Sequence, residues 1–388
     1  MTDTSIPAVA DVPILLTPGP LTTSATVKQA MLRDWGSRDA AFIALNRRIR
    51  ERLLDLADAG ETHVCVPVQG SGTFAVEATI GTLVPRDGRL LVLVNGAYGR
   101  RMVRIAEVIS RAVTSLSWPE DEAVDAQALD RALAADPAIT HVAVVHCETT
   151  SGILNPLQEV ADVCARHRRP LLIDAMSSFG ALPIDARVTV FSGLMASANK
   201  CLEGVPGVGF ALIRREALAA TKGNAPSLSL DLYDQWRGLE ANGQWRFTPP
   251  THVLAAFDQA LDEHAAEGGV VGRGARYRRN HQLLVEGMSA LGFAMLVPPP
   301  LQAPIIVTFL MPADPRFVFA EFYDRLREKG FAIYPGKLTV AESFRIGCIG
   351  RIGEAEIRAA LAAIGETMRE MDVASGAPAP GGQAGRQA

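Results

Sequence analysis

Short apolar runs rich in β-branched residues alternate with amphipathic stretches along the first part of the chain, and this alternation limits the possible folds more than any other feature of the sequence. The runs are apolar at consecutive positions, which is typical of strands buried on both faces. They stand at 62–69, 89–95, 141–147, 170–175, 188–197 and 207–214. Strands of this kind, separated by helices, predict an α/β fold with a mostly parallel sheet flanked by helices.

The pattern changes after residue 265. A long helical stretch is followed by shorter apolar runs mixed with helices, which predicts a smaller α+β domain at 266–372. The large domain is then 14–265, and its first residues are expected to pack on the small domain because they precede the main alternation. Residues 373–388 are rich in Gly, Ala and Pro without periodicity, so we predict a disordered tail.

Composition excludes several classes of protein. A net charge of -4 over 388 residues is too small to indicate a nucleic-acid or membrane partner. No apolar run approaches the ~18 residues that span a bilayer, and the N-terminus does not resemble a signal peptide. The five cysteines are scattered without a C-x-x-C pair, which argues against disulfides and zinc. We expect a cytoplasmic protein without a metal. With so small a net charge, any binding of small anions would depend on local positive groups.

Ligands of open α/β sheets bind beyond the carboxyl ends of the strands, so the residues after each run are the candidates for a site. The segment 71–73, Ser-Gly-Thr, stands between a strand and a helix, where backbone N–H groups can hold a phosphate. The same residues could be an ordinary helix N-cap. Gly70, Gly72 and Ala75 also match a dinucleotide fingerprint. That motif needs a carboxylate at the end of the next strand, which instead ends at Asn95.

Two further strand ends carry charged side chains. Asp174 ends one run and Lys200 follows another. Asp174 could cap a turn or face a protonated ring nitrogen, and Lys200 could be a surface lysine or a desolvated Schiff-base lysine. Together with a phosphate site, they fit pyridoxal 5'-phosphate. Tyr98 would then stack on the ring, or it could be a tyrosine packed in a turn.

Several longer motifs resemble the 2-aminoethylphosphonate–pyruvate aminotransferases, a family of fold-type-I pyridoxal phosphate enzymes near the alanine–glyoxylate and serine–pyruvate aminotransferases. The resemblance covers about residues 14–370, and "HCETTSGILNP" with "FRIGCIG" is its most specific combination. The other motifs are "LLTPGPLTTS", "QGSGTFAVEA", "NGAYGRRM", "LLIDAMSSFGALPID", "SANKCLEGVPGVGF" and "RFTPPTH".

The resemblance implies a role for each matching residue and a homodimer with active sites at the interface. Lys200 would form the Schiff base and Asp174 would pair with the ring nitrogen. Arg345 would bind the substrate anion, with Gly19 beside the substrate. The implied cofactor-binding residues are Ser71, Gly72 and Thr73 at the phosphate, Tyr98 on the ring, Thr149 near the phenolic oxygen, Asn199 at the phosphate site, and Thr248 and Thr251 reaching the phosphate of the partner subunit.

The implied reaction is the pyridoxal phosphate-dependent transfer of the amino group of 2-aminoethylphosphonate to pyruvate in phosphonate degradation. The alternative within the same group is an alanine–glyoxylate or serine–pyruvate type aminotransferase. A cysteine desulfurase would need a reactive cysteine in the C-terminal part, where Cys348 stands alone. A non-catalytic relative would be expected to lack Lys200 or Asp174. Arg38 is a cation at a position where we expect an uncharged aromatic or polar residue in many relatives, so it either changes the preferred anion or is a surface charge.

Overall fold

The computed structural model describes residues 12–336 and 341–379. The strands in these ranges are β1 (Ile14–Leu15), β2 (His63–Gln69), β3 (Arg89–Val94), β4 (Ala112–Ser117), β5 (Ile139–Val145), β6 (Cys147–Glu148), β7 (Ile153–Leu154), β8 (Leu171–Asp174), β9 (Gly193–Ser197), β10 (Val208–Arg214), β11 (Ile306–Leu310), β12 (Phe331–Ala332), β13 (Tyr334–Pro335) and β14 (Ser343–Gly347). The helices are α1 (Ala25–Gln29), α2 (Ala40–Asp55), α3 (Gly72–Leu83), α4 (Ala97–Val108), α5 (Ala126–Ala135), α6 (Leu157–Arg166), α7 (Arg215–Ala219), α8 (Leu232–Asn242), α9 (Thr251–Ala266), α10 (Gly269–Ala290), α11 (Phe319–Glu328) and α12 (Glu354–Glu370), with 3₁₀ turns at Ala30–Leu32 and Pro299–Leu301.

The main sheet of the described chain has seven strands in the order β2-β10-β9-β8-β5-β3-β4. Strand β10 runs antiparallel to both of its neighbours, and every other neighbouring pair is parallel. Separate apolar clusters cover the two faces of this sheet, because side chains of successive strand residues point to opposite faces. The predicted mostly parallel sheet flanked by helices is therefore confirmed.

Strand β4 is the one strand of the main sheet that the apolar runs did not predict. In the part of the chain that the structure describes, it lies at the edge of the sheet and pairs with β3 alone. Its side chains are exposed or half-buried along its whole length. A strand that buries neither face needs no continuous apolar run, so its sequence, Ala-Val-Thr-Ser-Leu-Ser, carries a weak pattern.

The C-terminal part contains a three-stranded antiparallel sheet, in the order β11-β14-β13. Its core includes the buried rings of Phe309, Phe322 and Phe344, which pack with the apolar faces of α10, α11 and α12. Strand β1 pairs with β12 in parallel, so the start of the described chain packs on this C-terminal part. The boundaries of the two domains stay predictions.

The first residues of the predicted disordered tail are packed. Val373 is buried, the N–H of Gly376 donates to Leu291 O, and Ala377 O accepts from the N–H of Ala313. The expectation of disorder therefore does not fit residues 373–377, and residues 380–388 lie outside the described ranges. No helix in the described ranges is both long enough and apolar enough to cross a membrane.

A buried ion cluster joins the two parts of the molecule. It consists of Glu203, from the turn after β9, with Glu267, Arg273 and Arg276 at and beyond the end of α9. Arg276 donates to both carboxylates at 2.7 Å, and Arg273 donates to Glu267 at 2.7 Å. Arg276 Nη1 also donates to Gly350 O at 2.6 Å, just beyond β14. The cluster therefore ties the turn after β9 to the end of the C-terminal sheet.

Candidate active site

A cavity of about 200 Å³ lies where the carboxyl ends of the parallel strands meet the first turns of α3 and α4. The register of the sheet brings these ends together, because Asp174 at the end of β8 pairs with Met195 of β9. The sequence-predicted residues that line the cavity are Gly19, Ser71, Gly72, Thr73, Tyr98, Thr149, Asp174, Asn199 and Lys200. Residues from six separate stretches of sequence thus share one cavity.

The start of α3 has free hydrogen-bond donors. Ser71 is the N-cap residue, but its hydroxyl makes no capping hydrogen bond. Among the described residues, no acceptor is found for the backbone N–H groups of Gly72 and Thr73. A side chain at Gly72 would have to displace Met176, because its Cβ would lie 2.4 Å from Met176 Sδ. The helix start therefore has the donors and the close backbone approach that a phosphate needs.

Asp174 lies almost completely buried at the end of β8, with 4% of its surface exposed. The N–H of Met176 donates to Oδ1 at 3.0 Å, and within the described ranges Oδ2 receives no hydrogen bond. Burial raises the pKa of Asp174 to about 6, although the N–H of Met176 opposes this shift. A carboxylate with one free oxygen in a desolvated position can pair with a cationic ring nitrogen. The positive charge of that nitrogen would favour the ionised form of Asp174.

Lys200 follows β9 and is held from the N-terminal segment. Its Nζ donates to Pro18 O at 2.6 Å. Burial lowers the pKa of Lys200 to about 8, although nearby groups that include Asp174 raise it. Gly19 has φ +118°, and a Cβ there would lie 2.7 Å from Lys200 Cδ. Pro18 was missed from the sequence because its contribution is a backbone carbonyl, which any residue could supply.

Tyr98 is presented by the first turn of α4, and a buried carboxylate holds that turn. Glu148 accepts from the N–H groups of Tyr98 and Gly99 at 3.2 and 3.3 Å. Its other oxygen accepts from the N–H and the hydroxyl of Thr150. Burial raises the pKa of Glu148, and these hydrogen bonds lower it. Glu148, which the sequence analysis did not single out, therefore fixes the backbone on both sides of the cavity, at Tyr98 and beside Thr149.

Arg345, on β14, is a buried guanidinium with neutral partners. Its Nη1 donates to Thr149 O at 2.8 Å, and Nη2 donates to Pro335 O at 3.1 Å. It makes no salt bridge with any carboxylate in the described part of the chain, and burial lowers its pKa. Only 1% of Arg345 is exposed. A buried cation without a counter-ion is favourable only when an anion joins it, so this position suits an anionic substrate.

Four predicted or weighed residues are absent from the cavity lining. The first is Arg345, which is connected to the cavity through its hydrogen bond to Thr149 O. Thr248 is exposed, Thr251 is the first residue of α9, and neither lines the cavity of its own chain. Arg38 is exposed and also absent from the lining. Cys348 is completely buried, and burial raises the pKa of its thiol, so it lacks the reactive thiolate of a desulfurase. The described residues contain no group of three or more His, Cys, Asp or Glu placed to hold a metal ion.

Taken together, the residues that line the cavity fit a phosphorylated pyridine aldehyde. They offer a helix start for the phosphate, Asp174 for the ring nitrogen, Lys200 for the aldehyde and Tyr98 as an aromatic face. An α/β sheet that gathers these groups at its carboxyl edge has the architecture of a fold-type-I pyridoxal phosphate enzyme. The chain belongs to the class-V aminotransferase family, since the family model described as aminotransferase class-V matches residues 24–353.

The chain is similar to named proteins over almost its whole length. It is 57% identical over 366 residues to a 2-aminoethylphosphonate–pyruvate transaminase of Cupriavidus necator. This match covers 94% of this chain and 97% of the relative. The chain is 56% identical over 361 residues to 2-aminoethylphosphonate–pyruvate transaminase 2 of Burkholderia lata, with 93% and 96% covered. The crystal structure of an alanine–glyoxylate aminotransferase from Nostoc sp. matches with a TM-score of 0.87 at 26% identity and covers 94% of this chain and 97% of that one.

Proposed function

We propose that the protein is a pyridoxal phosphate-dependent aminotransferase that transfers the amino group of 2-aminoethylphosphonate to pyruvate in phosphonate degradation. The products are phosphonoacetaldehyde and alanine. Relatives at 56–57% identity carry the name of this activity. The observation that carries the proposal is that Asp174 and Lys200 line one cavity. Arg345 pairs with no carboxylate of the described residues, and it donates a hydrogen bond to Thr149 O, whose residue lines the same cavity.

Pyridoxal phosphate, when bound, supplies an aldehyde that takes up the amino group and a ring that withdraws electrons from the reacting carbon. The N-terminus of α3 and the hydroxyls of Ser71 and Thr73 would bind the phosphate, and Asn199 would complete that site. Tyr98 would cover the ring and exclude water from one face. Asp174 would hold a proton at the ring nitrogen, since its free oxygen is the group placed to pair with it.

Lys200 would move the proton of the reaction. Its pKa of about 8 gives it a much larger neutral fraction near pH 7 than an exposed lysine has. A neutral amine can accept a proton from the substrate carbon and return it elsewhere, as a general base and then a general acid. Pro18 O, 2.6 Å from Nζ, orients the amine within the cavity.

Arg345 would bind the anionic end of each substrate. The carbonyls of Thr149 and Pro335 hold its guanidinium in one orientation. A planar guanidinium can bind a phosphonate and a carboxylate in the same bidentate manner, so one residue serves both half-reactions. A carboxylate amino donor would fit the same group, which is why the alternative of an alanine or serine donor requires a direct test.

The decisive experiment compares 2-aminoethylphosphonate, alanine and serine as donors at equal concentration. Acceptors are pyruvate and glyoxylate, and the initial rate is measured for each pair except alanine with pyruvate, which regenerates its own substrates. We expect 2-aminoethylphosphonate with pyruvate to give the highest rate. A higher rate for alanine or serine would support the alternative function instead.

Arg345→Lys separates substrate binding from cofactor binding. The variant keeps the charge but loses the bidentate geometry, so the KM for both 2-aminoethylphosphonate and pyruvate should rise while the visible absorption of the cofactor stays. Arg351→Lys, at an exposed residue near the same strand, is the matched control and should leave both KM values unchanged. Loss of absorption in Arg345→Lys would show that the residue supports the cofactor and not the substrate.

The protein is further proposed to act as a cytoplasmic homodimer with active sites at the interface. Thr248 and Thr251 support this, because they match family positions for the phosphate but do not line the cavity of their own chain. Lys200→Ala and a Thr248→Val/Thr251→Val variant should each have low activity. Mixed dimers of the two should regain activity, since one of their two sites carries all three original residues. No recovery on mixing would contradict a shared site.

A further inference from the structure

Arg101 differs from its neighbouring arginines on α4. Arg100 pairs with Glu120, and Arg104 pairs with Glu107 at 3.1 Å. Arg101 has no carboxylate within salt-bridge distance among the described residues. Of these three arginines, Arg101 is therefore the one that pairs with no carboxylate of the described residues.

The contacts of Arg101 place it beside the predicted phosphate position. Its Nη1 donates to the hydroxyl of Thr73 at 3.3 Å. Its Cζ lies 4.9 Å from the centre of the Tyr98 ring, and Arg101 lines the cavity. The guanidinium thus contacts both Thr73, at the start of α3, and the ring of Tyr98, which would cover the cofactor. Its charge also lowers the pKa of Asp174, which lines the same cavity, although burial raises that pKa overall.

We propose that Arg101 binds the phosphate of the cofactor, as a positive side chain added to the neutral donors of α3. This inference rests on the proposed function and identifies a further binding residue for it. The phosphate is favoured over a substrate anion because Arg101 contacts Thr73, one of the phosphate-site residues, whereas Arg345 lies on the side of Thr149. A dianionic phosphate gains more from a guanidinium than from hydroxyls alone.

The test compares pyridoxal phosphate with pyridoxal, which lacks the phosphate. The full chain, freed of cofactor by dialysis, is titrated with each compound, and the dissociation constant is read from the visible absorption. Arg101→Gln should weaken pyridoxal phosphate binding by about tenfold, the loss expected for one charge-assisted contact at an accessible position. Its affinity for pyridoxal should stay within about twofold of the wild type, since the contact with the ring contributes little at an exposed site.

Two further variants are the controls. Arg104→Gln removes an exposed arginine one turn further along the same helix and should leave both dissociation constants unchanged. Arg101→Lys keeps a charge and should recover part of the loss for pyridoxal phosphate. The far-ultraviolet circular dichroism of every variant is compared with the wild type, so that a folding defect shows as equal losses for both compounds.

The outcomes separate the two proposals. Equal affinity of Arg101→Gln and the wild type for pyridoxal phosphate would overturn the assignment of Arg101. Equal loss for pyridoxal and pyridoxal phosphate would also overturn it, because the residue would then act through Tyr98 or the fold. A wild-type protein that binds neither compound would instead overturn the proposed function.

Discussion

Replacing Glu203 with glutamine is expected to lower the melting temperature of the protein by about 4 °C. Glu203 faces Arg276 at 2.7 Å and Arg273 at 3.6 Å inside the ion cluster. Only 2% of it is exposed, so water cannot compensate for a lost charge. The substitution keeps the shape of the side chain but leaves two buried arginines facing the single carboxylate of Glu267.

The magnitude follows from the burial of the pair and the length of the chain. Breaking a buried ion pair by removing one partner costs about 3–5 kcal/mol, and glutamine, which still accepts a hydrogen bond, should lie near the lower end. The unfolding entropy of a 388-residue protein is about 0.8 kcal/mol/K at the average value per residue. A loss of about 3 kcal/mol therefore corresponds to about 4 °C.

Differential scanning calorimetry at pH 7 on the protein without cofactor measures this shift directly. Two variants calibrate it. Tyr277→Phe removes the hydroxyl that donates to Glu203 at 2.6 Å and should lower the melting temperature by about 1–2 °C. Glu107→Gln breaks an exposed pair with Arg104 and should change it by about 1 °C or less. The reasoning is refuted if Glu203→Gln shifts the melting temperature no more than Glu107→Gln does.

Three further predictions concern the cavity. Lys200→Ala should abolish transamination and the visible absorption of the loaded protein, and retention of either would remove Lys200 from its proposed role. Gly19→Ala should reduce kcat/KM far more than Gly330→Ala, since both have positive φ but only the Cβ at residue 19 would meet a side chain, that of Lys200. The rate at which the dialysed protein takes up pyridoxal phosphate should rise with pH and level off above about 8, where burial places the pKa of Lys200; a stopped-flow rate that still rises steeply beyond pH 9 would indicate an ordinary lysine.

Much of the main sheet could be predicted because its strands are buried on both faces. The runs at 62–69 and 207–214 became β2 and β10, with bounds shifted by about one residue. A fully buried strand must be apolar at consecutive positions, so its sequence shows its environment directly. The sequence of β4 did not show a strand in this way. An edge strand with exposed and half-buried side chains can contain alanine, serine and threonine, so it lacks a continuous apolar run.

The candidate site was predictable where a side chain carries the chemistry. Asp174 and Lys200 are charged residues at the ends of apolar runs, and the geometry of a parallel sheet brings such ends together. Pro18 and Glu148 could not be found in that way. Pro18 contributes a carbonyl, and Glu148 acts on the backbone of α4, about fifty residues away in sequence. Contacts between a side chain and a distant backbone group leave no local pattern in the sequence.

The N-terminal segment limits how the protein can be trimmed or tagged. Its backbone bonds to Gly330 and Ala332 through Ile14 and Leu16, and Thr22 O accepts from the N–H of Arg351. Between these anchor points, Pro18 O receives the amine of Lys200. A truncation or proteolytic cut within residues 14–22 would free the amine from this acceptor without altering any side chain at the strand ends. Expression tags therefore belong ahead of this segment, and mass spectrometry of the intact N-terminus should precede any comparison of rates between preparations.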